Sequence, residues 1–157
     1  MKKSGLKIIV QNKKARHDFE ILATYEAGMV LTGTEIKSIR AGRIQLKDGY
    51  GKIKNGEIFL HDIYIAPYTQ AGPFNHDPTQ PRKLLLHKKE IQKLYGKTQE
   101  KGLTIIPLRV YLKSGKAKIE LGVGRGKRKY EKREELRRQD AKKEIQRSLR
   151  QRTKGFK

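Results

Sequence analysis

The seventeen residues Glu26-Ala-Gly-Met-Val-Leu-Thr-Gly-Thr-Glu-Ile-Lys-Ser-Ile-Arg-Ala-Gly42 restrict this chain more than any other stretch. Met29-Val30-Leu31 predicts a buried strand, which Gly33-Thr34 then breaks. Thr34 to Arg40 predicts a short helix, with Thr32 or Thr34 as N-cap and Gly42 placed to end it. Ile36 and Ile39 stand at i, i+3 and share one face, while Lys37 and Arg40 share the other. A strand that runs into a helix with an apolar underside and a basic rim suits the end of a small barrel. It closes the barrel and presents charge outward.

The flanking sequence supplies strands for such a barrel. Lys7 to Val10 and Phe19 to Tyr25 read as strands on either side of a basic turn, Gln11 to His17. Gln45 to Lys54 alternates and meets Asn55-Gly56, the pair that a tight hairpin turn demands. The returning strand, Glu57 to Ala66, offers Ile58, Leu60, Ile63 and Ile65 to the core, with a bulge or bend at His61-Asp62 where the alternation slips. Pro67 to Pro81 holds four of the five prolines and reads as a long loop. Arg82 to Leu86 leads into a helix, His87 to Gly96, with Ile91, Leu94 and Tyr95 on one side. A second hairpin turns at Ser114-Gly115, between Leu103–Leu112 and Ala117–Val123, and Pro107 marks an edge or a bulge in it. Five or six short strands with two intervening helices predict a small, mostly β barrel. An OB-type closed Greek-key barrel with two or three short helices fits the size and charge, and periodicity alone does not separate it from an SH3-like barrel.

The formal charge of +22 self-repels unless a polyanion neutralises it, so nucleic acid is the first partner to consider. No apolar run approaches the ~20 residues of a bilayer crossing, so a membrane is not expected as partner. Met1-Lys-Lys-Ser-Gly is not a signal sequence. With no cysteine the chain suits a reducing cytoplasm. From Arg125 onward, fifteen Lys and Arg face five acids. The apolar residues there are few, and Ala141, Ile145 and Leu149 form only a thin stripe. We therefore expect a barrel over residues 1–124 and a basic tail over 125–157, disordered when free and helical on a partner.

Chemistry of other kinds is not in view. His17, His61, His76 and His87 lie too far apart to suggest a metal site, and no nucleophile stands with a base and an orienting group, so neither an enzyme nor a cofactor is expected. Gly122-Val-Gly-Arg-Gly126 lacks the ending of a nucleotide-binding loop and reads as a flexible joint. Basic clusters at Lys13-Lys14-Arg16, at Arg82-Lys83 with Lys88-Lys89, and at Arg125 to Lys129 sit beside turns, where side chains reach phosphates. Tyr25, Tyr50, Tyr68 and Tyr130 are candidates to stack on bases, with a half-buried structural role equally open to the first two.

Asn12-Lys-Lys-Ala-Arg-His17, Tyr25-Glu-Ala-Gly28, Gly33-Thr-Glu-Ile-Lys-Ser-Ile-Arg-Ala-Gly42, Arg82-Lys-Leu-Leu-Leu86, Gly126-Lys127 and Glu131-Lys-Arg133 occur in the order and spacing of one family. The chain resembles the small protein B family, the SsrA-binding proteins of bacteria. The resemblance implies an OB-type barrel that binds the tRNA-like part of transfer-messenger RNA and delivers it to ribosomes stalled on broken messages. It implies no catalysis. It implies a further partner, elongation factor Tu with GTP, acting through the RNA complex, and a monomer in the cytoplasm. Positions matching the family's RNA contacts are Asn12, Glu26, Leu86 and Lys118, with Lys127 and Arg128 as basic neighbours and Lys13 and Lys14 beside Asn12. The tail would enter the empty messenger channel near the decoding centre and become helical there, with Tyr130, Glu131, Lys132 and Arg133 in contact with the ribosome. The family's usual Asp-Lys-Arg is here Glu131-Lys132-Arg133, which keeps the charge with one more methylene.

A compact basic module with a long basic tail suggests two separate RNA surfaces. Glu26 stands out against that charge. An acid beside a glycine turn in so basic a molecule is a candidate acceptor for donors on an RNA base or sugar. A ribosomal protein or a general single-strand-binding module would share the charge, and the second would need aromatic platforms on its strands.

Overall fold

The computed structural model describes residues 5–100, 102–127 and 129–155. It divides into two compact units, Met1–Gly126 and Lys127–Lys157.

The first unit is a ring of strands. β1 (Leu6–Gln11), α1 (Lys13–Asp18), β2 (Phe19–Met29), α2 (Gly33–Arg40), β3 (Ile44–Gln45), β4 (Tyr50–Lys54), β5 (Glu57–His61) and β6 (Tyr64–Ile65) come first. A single 3-10 turn and then β7 (Arg82–Leu85), α3 (Lys88–Thr98), β8 (Leu103–Lys113) and β9 (Lys116–Gly126) complete it. The large sheet runs β1-β8-β4-β5-β7-β2-β9, and β9 also pairs with β8, so β8, β4, β5, β7, β2 and β9 close into a barrel of OB type. β1 adds to the same edge of β8 that meets β4 lower down, β4 pairing at Ile105 and β1 from Arg109 to Lys113.

Pro107 lies between those two pairings. It has no N–H to give, and it stands where the edge of β8 passes from one partner to the next. The β8–β9 register shifts between Pro107 and Arg109, which makes Leu108 the extra residue of a bulge. Asn12 holds this bulge from the turn between β1 and α1. Its backbone N–H donates to the Leu108 carbonyl at 2.7 Å, and its side-chain amide donates to the carbonyls of Pro107 at 3.0 Å and Leu46 at 3.3 Å.

The turns form as their residues dictate. Asn55 and Gly56 adopt φ of 53° and 74°, the left-handed pair that matches hairpin twist, and Ser114 and Gly115 adopt 50° and 79°. Asp62 at φ 59° makes the bend that returns Ile63 and Ile65 to the side of Ile58 and Leu60. All four are fully buried in the main core, with Leu84, Ile105, Val110, Ile119, Leu121 and Val123 from other strands. α3 adds Ile91 and Leu94, while Tyr95 stays outside and Gly96 does not end the helix, which continues to Thr98.

α2 begins at Thr32, whose hydroxyl accepts from the Glu35 N–H while the Glu35 carboxylate accepts from the Thr32 N–H at 2.9 Å. Its buried face is Glu35, Ser38 and Ile39, with Ile36 only half-buried. The expected Ile36/Ile39 face is thus rotated by one position, because Glu35 has a partner inside. Arg82, expected at a phosphate, is 1 % exposed. Its Nε donates to Glu35 Oε2 at 2.6 Å and its two terminal nitrogens to the carbonyls of Ile63, Asp77 and Pro78 at 3.1 to 3.2 Å. The same part of the long loop is held by His76, which stands next to Asp77 and meets Thr34 Oγ1 at 2.8 Å and the Ile65 carbonyl at 2.9 Å. Two further readings change. Val30 is exposed after the end of β2. Gly122 and Gly124 are strand residues of β9 and not a joint. A Cβ at Gly124 would stand 2.6 Å from the Glu20 carbonyl oxygen, so the close approach of β2 requires a glycine there.

The second unit is α4 (Lys129–Gly155), a helix of 27 residues. Leu136, Ile145 and Leu149 are exposed along it, and Glu134 and Arg138 pair at 3.7 Å one turn apart. Arg128 lies outside the described residues.

Removing one member of the Arg82–Glu35 pair strands a charge out of water. Glu35→Gln is expected to lower stability at pH 7 by about 3–5 kcal/mol in denaturant titration. Burial pushes the Glu35 carboxyl up, but the Thr32 N–H and Arg82 outweigh it and hold it below its ordinary value of 4.5. A depressed folded-state pKa stabilises above the unfolded value and is lost as pH falls through the folded one. The gap between wild type and Glu35→Gln should therefore narrow below about pH 4.5. A gap unchanged between pH 7 and 3 would count against the pair's role.

Candidate nucleic-acid interface

The outer face of β2, β9 and β8 is laid out by its register. Gly28 stands opposite Lys118 and Glu26 opposite Glu120 across β2 and β9. Lys118 stands opposite Tyr111 and Glu120 opposite Arg109 across β9 and β8. Paired residues point to the same side, so these six form two rows facing away from the core. β7 extends one row, because Leu85 pairs with Gly28.

At the β7 end, Glu26, Gly28, Leu85, Leu86, His87, Glu90 and Lys118 line a cleft of about 520 Å³. Three of the expected RNA-contact positions, Glu26, Leu86 and Lys118, meet there. Leu85, not Leu86, is the exposed leucine, at 53 %, while Leu86 packs partly against the core. Gly28 forms the floor, where a Cβ would come within 3.6 Å of the Lys118 ammonium.

Glu26 does not stand alone. Its Oε2 accepts from the Tyr111 hydroxyl, and its Oε1 lies 3.5 Å from Lys113 Nζ. The Tyr111 bond, with help from Lys113, outweighs desolvation and holds the Glu26 carboxyl below its ordinary value, so it is an acceptor at neutral pH. Burial and the hydrogen bond to Glu26 push the Tyr111 hydroxyl well above its ordinary value, so it stays a donor.

The other end of the face is the turn at Asn12. Gln11, Asn12, Lys13, Arg16, Leu108 and Arg109 line a hollow of about 240 Å³. Asn12 itself is buried, its Oδ1 accepting from the Ala15 N–H at 3.2 Å as the N-cap of α1. The whole of its amide is used inside the protein, so Asn12 positions the turn and the cations beside it reach solvent. Lys14 is half-exposed and 3.9 Å from Asp48. The two ends are joined. Arg16 and Arg109 both pair with Glu120, at 3.5 and 2.8 Å, and the Arg109 guanidinium lies over the Tyr111 ring at 5.2 Å. One network thus runs from the Asn12 turn to Glu26.

Several expected cations are engaged elsewhere. Arg82 is interior, Lys83 pairs with Glu57 at 3.2 Å, and Lys37 lies 5.2 Å from the Tyr68 ring centroid. Lys127 begins the second unit, and Tyr130, Glu131, Lys132 and Arg133 lie in the first turns of α4. The sequence reading missed Tyr111, Arg109 and Glu120. Counting outward from the Ser114-Gly115 turn pairs 113 with 116, 111 with 118 and 109 with 120, so the signal for them was present. Among the described residues no group of three or more His, Cys, Asp or Glu gathers to hold a metal. No described helix is long and apolar enough to cross a membrane.

An OB-type barrel in a strongly basic chain, with a charged outer sheet face, defines a nucleic-acid-binding protein. The family model described as SmpB protein matches residues 9–151, and the chain belongs to that family. The SsrA-binding protein of Bacillus subtilis (strain 168) is 57 % identical over 156 residues, covering 99 % of this chain and 100 % of the relative. That of Shouchella clausii is 58 % identical over 149 residues, covering 95 % and 96 %. A chain of the solved structure "tmRNA-SmpB: a journey to the center of the bacterial ribosome" superposes with a TM-score of 0.66 at 47 % identity, covering 82 % of this chain and 94 % of that one.

Replacing Tyr111 by Phe removes the largest influence lowering the Glu26 pKa. In carboxyl-detected NMR titrations Glu26 should titrate at higher pH in Tyr111→Phe than in wild type, with Lys113→Gln also giving a rise. An unmoved Glu26 titration in Tyr111→Phe would show that the hydroxyl does not set its charge.

Proposed function

We propose that this chain binds the tRNA-like part of transfer-messenger RNA with its barrel and delivers that RNA to stalled bacterial ribosomes, as an RNA-binding protein and not an enzyme. The observation that carries the reading is the meeting of Glu26, Leu86 and Lys118 in one cleft, wired through Tyr111, Arg109 and Glu120 to the basic turn at Asn12. Full-length identity to SsrA-binding proteins supports it. In this reading Lys118 and the cations Lys13, Lys14 and Arg16 meet phosphates. Glu26 accepts hydrogen bonds from base or sugar donors, and it repels a phosphate placed wrongly. Leu85 and Leu86 offer an apolar rim.

The tail is the second surface. Lys127 and Arg128 add basic neighbours to the transfer-messenger RNA surface, Tyr130, Glu131, Lys132 and Arg133 contact the ribosome near the decoding centre, and residues beyond them occupy the empty messenger channel as a helix. Off the ribosome the tail is unstructured, because its apolar stripe is too thin to hold 27 residues in water. The complex acts in the cytoplasm as one protein monomer per RNA, with elongation factor Tu and GTP joined through the aminoacylated RNA.

Two measurements test this division. Glu26→Ala should weaken binding of full-length transfer-messenger RNA by about tenfold or more, as loss of a charged acceptor from an interface does. Truncation after Tyr130 should leave that affinity within about twofold while abolishing peptide tagging on stalled ribosomes. Equal loss of RNA affinity from truncation at Gly126 and from Glu26→Ala would overturn the two-surface reading. The isolated peptide 127–157 should give a random-coil circular dichroism spectrum, and a stable helix there would contradict the free-state disorder.

A further inference from the structure

The outward face of β4, β5 and β7 carries rings that the interface above does not use. Tyr50 stands opposite His61 and Lys52 opposite Phe59 across β4 and β5. Phe59 in turn stands opposite Lys83 across β5 and β7. The alternate residues Ile58, Leu60 and Leu84 are fully buried, so the rings lie on the solvent side. Tyr50 is 41 % exposed and stacks on His61, with centroids 5.2 Å apart and planes 14° from parallel. Phe59 is half-buried between the two lysines. Beside Tyr50 opens a hollow of about 240 Å³ lined by Lys14 and Lys47 and also by Asp18 and Asp48.

The core does not explain these rings, because the inward positions of the three strands are taken by Gly51, Ile53, Ile58, Leu60, Arg82 and Leu84. His61 and Phe59 lie two residues apart on one strand, roughly 6.6 Å along it. That is about twice the ~3.4 Å spacing of stacked bases. A row of rings on a sheet, flanked by ammonium groups, is how small β domains hold unpaired bases, the rings taking base faces and the lysines phosphates.

We propose that the β4–β5–β7 face is a second RNA site that takes two or three unpaired bases by stacking on Tyr50, His61 and Phe59. Lys52 and Lys47 carry the charge of the strand, and Lys83 joins them by exchanging its exposed partner Glu57 for a phosphate. The ligand is single-stranded RNA and not an acidic peptide, since the lysines would serve both but a peptide carboxylate gains nothing from ring faces. The site shares with the proposed function only the premise that this chain binds RNA. It uses different residues, and it fits an unpaired segment where the Glu26–Lys118 cleft fits a folded one.

The test uses the full chain and a fluorescein-labelled decauridylate, read by anisotropy at about 0.3 M salt, where binding by charge alone is weak. Tyr50→Ala should weaken decauridylate binding about 5- to 160-fold, the range for one base–aromatic stack, and Phe59→Leu should weaken it similarly without emptying the site of volume. Transfer-messenger RNA affinity should stay within about twofold in Tyr50→Ala and fall in Glu26→Ala, which leaves decauridylate binding unchanged. On the unmutated protein, a 5-bromouridine decamer should photocross-link within residues 50–61. Equal decauridylate affinity in wild type and Tyr50→Ala overturns the proposal. So do cross-links confined to the Glu26–Lys118 cleft or the tail, or displacement of the probe by oligoglutamate at the concentration at which unlabelled decauridylate displaces it. Failure of wild type to bind transfer-messenger RNA, with decauridylate binding intact and sensitive to Tyr50, would instead overturn the proposed function and leave this site standing.

Discussion

One arginine in a chain of net charge +22 is taken wholly out of water, and the barrel is arranged around it. All three nitrogens of Arg82 are engaged, one by Glu35 and two by the carbonyls of Ile63, Asp77 and Pro78. Four pieces of backbone thus meet at one guanidinium: α2, the bend after β5, the long loop and β7. A lysine has the charge but not the planar fork, so it would leave some of those carbonyls unsatisfied. The pair is no simple gain in stability, since each charge loses its hydration on burial. Its larger effect is on register. With Arg82 and Leu84 fixed inward, Lys83 and Leu85 have only the outward direction left. Those two residues belong to different surfaces, the aromatic row and the Glu26 cleft, so one buried contact aligns both.

A second constraint works on the opposite side of the barrel. The Leu108 bulge lets one long strand serve β4 below and β1 above, and Asn12 closes the gap with three hydrogen bonds that β-ladder pairing at Pro107 cannot make. The same turn starts α1 and sets Lys13 and Arg16 beside Arg109. Asn12 therefore bears on RNA through what it positions. Loss of its amide would release a bulge and a basic turn together, and an effect on binding would not by itself signal a direct contact.

What could be read in the chain was what local chemistry decides. Asn55-Gly56 and Ser114-Gly115 specify their turns because left-handed φ is open to few residues, and once the turns are known the outward rows of each hairpin follow by counting. The core face Ile58, Leu60, Ile63 and Ile65, with its bend at Asp62, followed from alternation and its failure. The hidden features all depend on partners far along the chain. Arg82 finds Glu35 across 47 residues, and nothing within Pro81-Arg82-Lys83 distinguishes an interior arginine from a solvated one. Gly122 and Gly124 looked like a hinge because glycine is demanded both where a chain bends and where another backbone presses close. Only the position of β2 decides between the two.

Glu26 shows how an acid gains a role in so basic a protein. Free in solvent near many lysines it would be one more screened charge. Held by Tyr111 and faced by Lys113 and Lys118, it stays ionised and aimed at the cleft. Lysines alone attract any polyanion in any orientation. An acceptor fixed among them penalises a phosphate at that point and rewards an N–H or O–H, so attraction becomes orientation. The acid beside the aromatic row, Glu57, is half-exposed and paired with Lys83 at 3.2 Å rather than held by a buried hydroxyl. Lysines with rings but without an aimed acceptor give affinity that tolerates sequence and conformation. The difference between the two faces thus comes from the one carboxylate, held in place by a tyrosine on the neighbouring hairpin.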